Sequence, residues 1–567
     1  MNLDTQRLIL LFVFSFSLLM LWDAWQKHNQ PKPPAQTAAQ RAQPTVPTPR
    51  APIASKPTPA PAAKGGAVAV PTPAAPTSKG EVVRVRTDLL VVDIDSVGGT
   101  LRRVELTKHR DSVDPKKLFV LLGPKHSYTA QSGLSNEGGP NHHAVWQFVP
   151  GPRELQPGTD VLEIRLLARG TNGLEVTKRY TFRRDSYIVD VDFEVKNTTT
   201  APRQAHAYFQ LVRDDEAPAG ESAMMKTFSG PVFYTQEKAY HKVDFSDAAK
   251  NDTGIPPQAN DGWIGIVQHY FVAAWLPPET IQREYFAECV KTVEPGTNRL
   301  VCLPHLFQVG VHLGLGDIDP GETRSVGSQL FVGPQEQHRL KVAAPGLDLV
   351  VDYGWLTIIA WPLFWLLEKF HSLTGNWGVA IILLTILIKG VFFPLSAASY
   401  KSMAKMKLVT PRLTKMREMY GNDRQKLNQA MMELYKTEKI NPLGGCFPIL
   451  VQIPVFISLY WVLLAAIELR HAPFILWIDD LSALDPFYVL PILMAGTMIL
   501  QTRMNPKPPD PVQAKVMQFM PYVFSVFFFF FPAGLVLYWL VNNCLSIAQQ
   551  WQIQRMFERE KTAHARR

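Results

Sequence analysis

Apolar residues follow three patterns along this 567-residue chain. Near its start they form one run, LILLFVFSFSLLMLW, from Leu8 to Trp22. From Glu81 to about Gly333 they alternate with polar residues: Tyr187, Val189, Val191, Phe193 and Val195 interleave with Asp190, Asp192, Glu194 and Lys196. Period-two alternation predicts half-buried strands, and the turn signals SVGGT, EPGTN and DIDPGET between them predict one antiparallel β-sandwich over residues 81–345.

Further on, the apolar positions gather into long runs. Residues 346–376 are apolar over only 15 positions, Tyr353 to Leu367, with Pro362 and the tryptophans Trp355, Trp361 and Trp365. That predicts a helix lying in a membrane interface rather than crossing. Four runs follow, at 377–395, 443–467, 488–502 and 516–551. The first would extend roughly 28 Å at about 1.5 Å per residue, enough for a hydrocarbon core of about 30 Å. The last would extend about 54 Å as one helix, so FFFFFPAG (Phe527 to Gly534) predicts a tight helical hairpin of two spans. The expected fold class is a membrane α-helical bundle of six spans, the N-terminal run plus a five-helix core, carrying a large exported antiparallel β-sandwich.

Between the first two of these runs, residues 396–442 have helical periodicity. Met403, Met406, Leu413, Met416, Met419 and Tyr420 precede the breaker GND at 421–423, and Leu427, Met431, Leu434 and Tyr435 follow it. This predicts an antiparallel helical pair. Two compatible readings apply to its methionines: they form the pair's own seam, or Met403, Met406, Met416, Met419 and Met431 offer an adaptable surface to apolar clients.

Charge sets the orientation. The net charge of +9 comes without aromatic interleaving, zinc spacing or a phosphate loop, so no specific nucleic-acid partner is expected. Segment 396–442 holds ten Lys and Arg against four acids, whereas the loop at 468–487 has only Arg470. The basic segment is therefore expected in the cytoplasm with the loop at 503–515 and the tail at 552–567, while 468–487 and the sandwich face the periplasm. The first run ends in LWDAWQKH, without a small-residue cleavage site, and reads as a retained anchor over 1–27 with its N-terminus inside. The Pro/Ala-rich stretch at 28–80 reads as a disordered tether.

Candidate chemistry is sparse. Of four cysteines, Cys289 and Cys302 flank a turn whose register, centred on Pro295 and Gly296, places them opposite each other. A cross-strand disulfide, suited to an oxidising compartment, and two unpaired thiols both fit. His142, His143 and the Asp214-Asp215-Glu216 cluster suggest a sugar or metal site, but loops of any sandwich carry such residues, and no metal or cofactor is assigned.

Lys389 stands out. A lysine inside the run at 377–395 costs about 2.5–3.5 kcal/mol on insertion scales, and the four runs contain no Asp, Glu or His to pair with it. That argues against a secondary transporter and against an intramembrane protease. Either Lys389 snorkels toward the interface near Leu395, or it faces a wet cavity with Thr385 and Gln452.

The segments TILIKGVFFPLSAASYKSMAKMKLVTPRL, NPLGGCFPILVQIPVFISLYWVL, LRHAPFILWIDDLSALDPFYVLPILMAG and FPAGLVLYWLVNN, in this order, resemble the core of the YidC family of bacterial inner-membrane insertases over roughly residues 345–560. The resemblance implies a non-enzymatic insertase and chaperone, without cofactor, in a bacterial inner membrane. It implies a hydrophilic groove, open to cytoplasm and lipid, that receives polar parts of nascent membrane proteins. Small clients would be handled alone and larger ones with the Sec translocon (SecYEG and SecDF), with the ribosome or signal recognition machinery as further candidate partners. The family's groove cation, usually arginine, falls at Lys389; Thr385 and Gln452 match groove positions, and a Tyr-Tyr pair falls at Tyr538 and Trp539.

Overall fold

The computed structural model describes residues 80–218, 227–256, 258–279, 281–294, 299–421, 423–438, 447–505 and 511–565. The expected anchor and nearly all of the tether lie outside these residues, as does Cys446. The described chain falls into two compact units, one ending at Asp352 and one running from Tyr353.

The first unit is a sandwich of an 8-stranded and a 9-stranded sheet. The smaller sheet runs Val82–Arg86, Leu90–Asp95, Thr100–Arg110, Thr129–Leu134, Arg203–Asp214, Leu300–Ile318 and Arg283–Val293, with Leu118–Leu122 paired to Thr100–Arg110. The larger runs His241–Lys242, Ser229–Tyr234, Trp263–Gln268, Phe271–Leu276, Thr323–Pro334, Ile188–Asn197, Leu174–Arg183, Val161–Arg169 and Gln147–Phe148. Every ladder pairing is antiparallel.

In strand Ile188–Asn197 the alternation reads directly as structure. Val189, Val191, Phe193 and Val195 are fully buried, while Asp190 and Asp192 meet Arg183 and Arg179 of the neighbouring strand at 2.5 and 3.2 Å. Phe193 and Trp275 of the larger sheet interdigitate with Phe209 of the smaller, ring centroids 5.7 and 5.2 Å apart, which is how two pleated faces exclude water.

One core position breaks the apolar rule. Lys178 is fully buried, and its ammonium donates to the carbonyls of Gly98, Gly99 and Ser132 at 3.0, 2.8 and 3.1 Å. The rings of Trp146, Tyr180 and Phe193 surround it at 5.3–5.5 Å. Burial pushes its pKa well below the ordinary lysine value. Gly98 and Gly99 have φ of +75° and +54°, a conformation that aims two consecutive carbonyls at one donor and suits glycine.

Cys289 and Cys302 form a disulfide, Cα atoms 5.5 Å apart. The register differs from the symmetric one: Lys291 faces Cys302 and Cys289 faces Phe307, with a shift between Cys289 and Lys291. Next to the turn Lys291, Thr292 and Val293 face Cys302, Val301 and Leu300, two positions from the symmetric pairing, so the bond runs diagonally across the hairpin; beyond it Leu303–Leu306 bulge against Val290 alone. Closing a loop with a sequence separation of 13 stabilises by about 3 kcal/mol on the chain-entropy estimate. Reduction of the full chain should therefore abolish slow amide exchange at Lys291–Val293 and Leu300–Cys302 while leaving strand Ile188–Asn197 protected; unchanged protection at the hairpin would show that the bond contributes nothing.

The second unit is helical. Its elements are α1 (Thr357–Thr374), α2 (Trp377–Val391), α3 (Phe393–Tyr420), α4 (Arg424–Thr437), α5 (Phe447–Ala465), α6 (Val489–Met504), α7 (Pro511–Phe527) and α8 (Ala533–Ala565). In α1, Ala360, Leu363, Phe364 and Leu367 are buried, and the helix packs on α2 and α5; Ile358, Trp361 and Trp365 stay exposed on the opposite side. The side chain of Asn376 caps α2 by accepting from Val379 N at 3.1 Å.

Two expectations need correction. The run 377–395 is not one straight helix: α2 ends at Val391 and α3 leaves at 65°. Pro394 has no N–H to return to the preceding turn and its ring crowds the carbonyl four residues back, so the helix breaks at Phe392. The second correction concerns the tight hairpin: the turn does fall at Phe528–Pro532, but α7 and α8 both pack against α6. Trp539 wedges the turn open, with Phe528 and Phe531 at centroid distances of 4.2 and 5.7 Å. The turn is pinned from outside, Ala533 and Gly534 donating to the carbonyls of Ala483 and Leu481 at 2.7 and 2.8 Å.

Among the described residues no single helix is long and apolar enough to cross a membrane; the bent pair Trp377–Val391 plus Phe393–Met406 passes together, and Val451–Ala465, Val489–Met504 and Ala514–Phe530 are shorter apolar helices.

Candidate functional site

Lys389 sits in the last turn of α2 with 6% of its surface exposed. Its ammonium does not extend away from the bundle; it donates to Ser546 Oγ of α8 at 2.7 Å. Ser546 Oγ in turn donates to the Asn542 carbonyl at 2.8 Å. From α5, Gln452 Nε2 donates to Asn542 Oδ1 at 3.2 Å. Gln549 Nε2 reaches the Lys389 carbonyl at 3.3 Å, and the Tyr400 hydroxyl of α3 reaches the Ser546 carbonyl at 3.5 Å. One cation and a belt of amides and hydroxyls thus line the faces that α2, α3 and α5 turn toward α8, with no carboxylate bonded to the cation among the described residues.

The belt exists because α8 carries Asn542, Ser546, Gln549 and Gln550 at intervals that fall on one side of a helix. Gln550 donates to Asn505 Oδ1 at 3.1 Å, while the side-chain oxygens of Gln549 and Gln550 are buried without a partner among the described residues.

The five groove positions fare differently. Lys389 and Gln452 meet on α8. Thr385 lies one turn before Lys389 and is buried, but its hydroxyl donates to the Ile381 carbonyl at 2.7 Å, inside its own helix. Tyr538 is buried two turns before Ser546. Trp539 stacks on Phe456 at 5.0 Å and belongs to the aromatic wedge at the turn rather than to the polar belt. Ser546, Asn542, Gln549 and Tyr400 went unnoticed in the sequence, although polar residues at 542, 546 and 549 inside an apolar run are a visible signal.

In the helical pair, Val409 and Leu413 are buried and Met406, Met431, Leu434 and Tyr435 pack on them. Met406 and Met431 therefore serve the seam, Met419 is exposed, and Met403 and Met416 are half-buried. Arg412 pairs with Glu438 at 2.5 Å across the two helices, and the Asp423 side chain caps α4 by accepting from Lys426 N. In the sandwich, His142 Nδ1 lies 2.5 Å from the buried Tyr208 hydroxyl, and burial holds its pKa well below the ordinary value. The acidic cluster is elsewhere engaged: Asp214 with His126 at 3.1 Å, Asp215 with His305 at 3.0 Å.

Comparison with known proteins identifies the family. The YidC periplasmic domain family matches residues 82–366 and the 60Kd inner membrane protein family matches 369–561. A membrane protein insertase YidC of Methylobacillus flagellatus is 53% identical over 100% of both chains, and one of Dechloromonas aromatica is 51% identical over 98% of both. The crystal structure of an active YidC insertase with its first transmembrane domain resolved aligns over 83% of this chain and 94% of its own, at 16% identity and a TM-score of 0.36. A periplasmic sandwich continuous with an inner-membrane helical unit defines the class: an inner-membrane protein with a large periplasmic domain. More particularly, the chain belongs to the YidC family of membrane protein insertases.

Proposed function

We propose that the chain inserts nascent integral membrane proteins into the bilayer and assists their folding, alone for small clients and with the Sec translocon, SecYEG and SecDF, for larger ones. The observation that carries this is Lys389, the one buried cation among the described residues of the helical unit, held by a neutral hydroxyl on a polar belt. A polar client segment crossing hydrocarbon loses its water; the belt returns hydrogen bonds and one fixed charge, while the client's apolar stretch partitions into lipid beside it. No bond is made or broken, so the work is lowering a transfer barrier.

In this reading the chain spans the bilayer six times. The anchor and five segments formed by α2 with the start of α3, α5, α6, α7 and α8 cross it, and both termini and the α3/α4 pair are cytoplasmic, following the basic residues. The exposed Ile358, Trp361 and Trp365 of α1 rest at the periplasmic interface. Exposed Met419 is the first point for an apolar client to touch.

The test is reconstitution of the protein alone into liposomes, with insertion of a small client bearing an acidic exported tail read by protease protection. Protection of the tail is expected without SecYEG and without nucleotide. Protection only when SecYEG is supplied would sink the autonomous role.

A further inference from the structure

We infer that Ser546 is the positioning residue for the groove cation, holding its ammonium in one place on α8. This rests on the reading of Lys389 as a working groove charge.

Lysine carries its charge on four rotatable bonds and lacks the planar fork by which arginine fixes itself. A lysine in that position needs something to hold its end still. Ser546 supplies it with a defined polarity: its hydroxyl hydrogen is committed to the Asn542 carbonyl, so its lone pairs face Lys389 Nζ at 2.7 Å. Among the described residues Ser546 Oγ is the one acceptor bonded to the ammonium, which has three N–H groups. Two remain for a client. A neutral partner also leaves the full charge in place, where an aspartate or glutamate would have cancelled it.

The geometry separates this role from a structural one. The other links between α8 and its neighbours here bypass the Ser546 side chain: Gln549 reaches the Lys389 carbonyl, Tyr400 reaches the Ser546 carbonyl, and Gln452 reaches the Asn542 side chain. Ser546→Ala keeps both carbonyls and removes the bond to the ammonium together with the hydroxyl's own bond to the Asn542 carbonyl inside α8. Ser546→Thr keeps the hydroxyl at the same position and its bond to the carbonyl four residues back.

The experiment compares two clients that differ only in the exported tail, one acidic and one neutral and polar, in liposomes containing wild type, Ser546→Ala, Ser546→Thr or Lys389→Ala at matched levels. Ser546→Ala is expected to slow the acidic client about tenfold more than the neutral one, the loss of one hydrogen bond to a charged group, and Ser546→Thr to restore the ratio. If Lys389→Ala lowers the acidic-to-neutral ratio and Ser546→Ala does not, Ser546 has no positioning role and the groove charge stands. A ratio unchanged even in Lys389→Ala overturns the groove charge itself, and this inference with it. Equal slowing of both clients by Ser546→Ala would mark Ser546 as structural only.

Discussion

Lys389→Ala, in liposomes at matched protein levels, should insert a small client with an acidic exported tail about 10- to 100-fold more slowly than wild type, because a hydrogen bond to a charged group is worth about 1.5–3 kcal/mol and about 1.4 kcal/mol is a factor of ten. Lys389→Arg should retain most of the activity, since the charge survives and a guanidinium can still donate to Ser546. The alanine variant loses a side chain that is 6% exposed, so folding must be verified by the melting of the detergent-solubilised chain alongside insertion. Undiminished insertion by a folded alanine variant would reduce Lys389 to a packing residue. Equal failure of alanine and arginine would point to shape rather than charge.

The second large effect is expected in the sandwich. Lys178→Met removes the donor shared by the carbonyls of Gly98, Gly99 and Ser132 while nearly preserving volume. Each buried polar group left unpaired costs about 1–3 kcal/mol, so the sandwich should lose about 3 kcal/mol or more. Tyr180 keeps its hydroxyl on the Gly99 carbonyl, which moderates the loss at that atom. Hydrogen exchange on the full chain reads this directly: amides of strands Thr100–Arg110 and Thr129–Leu134 should exchange faster, with α2 and α8 unaffected. Wild-type protection in Lys178→Met would mean that the carbonyls find other donors at no cost, and that the lysine is tolerated rather than required.

How legible was all this beforehand? The two regimes of structure were, because period two and long apolar runs are local signals that survive tertiary context. Strand Ile188–Asn197 is the case in point: from Val189 to Lys196 its apolar letters are buried and its polar ones are half-buried or exposed, in strict alternation. Lys178 was not legible, since a lysine in an alternating strand reads as solvent-facing until three carbonyls from distant segments are known to converge on it. The bend at Phe392 was written in Pro394, but the apolar count across 377–395 outvoted it. Lys389 drew notice because a lone charge in an apolar run is costly in isolation, whereas Ser546 and Asn542 are individually inexpensive and gain meaning only when α8 is placed beside α2 and α5. The disulfide's residues were visible but its diagonal register was not, because sliding a hairpin by two positions keeps the same residues on each face and leaves the alternation of letters unchanged.

The break between α2 and α3 has a mechanical consequence. Helix α3 leaves the break and continues for 28 residues, about 42 Å at about 1.5 Å per residue, to the tip it shares with α4. It is a long lever whose fulcrum is Phe392, three residues from Lys389. A swing of about 10° there would carry the tip through about 7 Å, while the short arm shifts the backbone beside the cation by a fraction of that distance. In the orientation proposed above, a push on the tip is geared down to a small displacement at the charge, and a proposed client lodged against the charge is geared up to a large one at the tip.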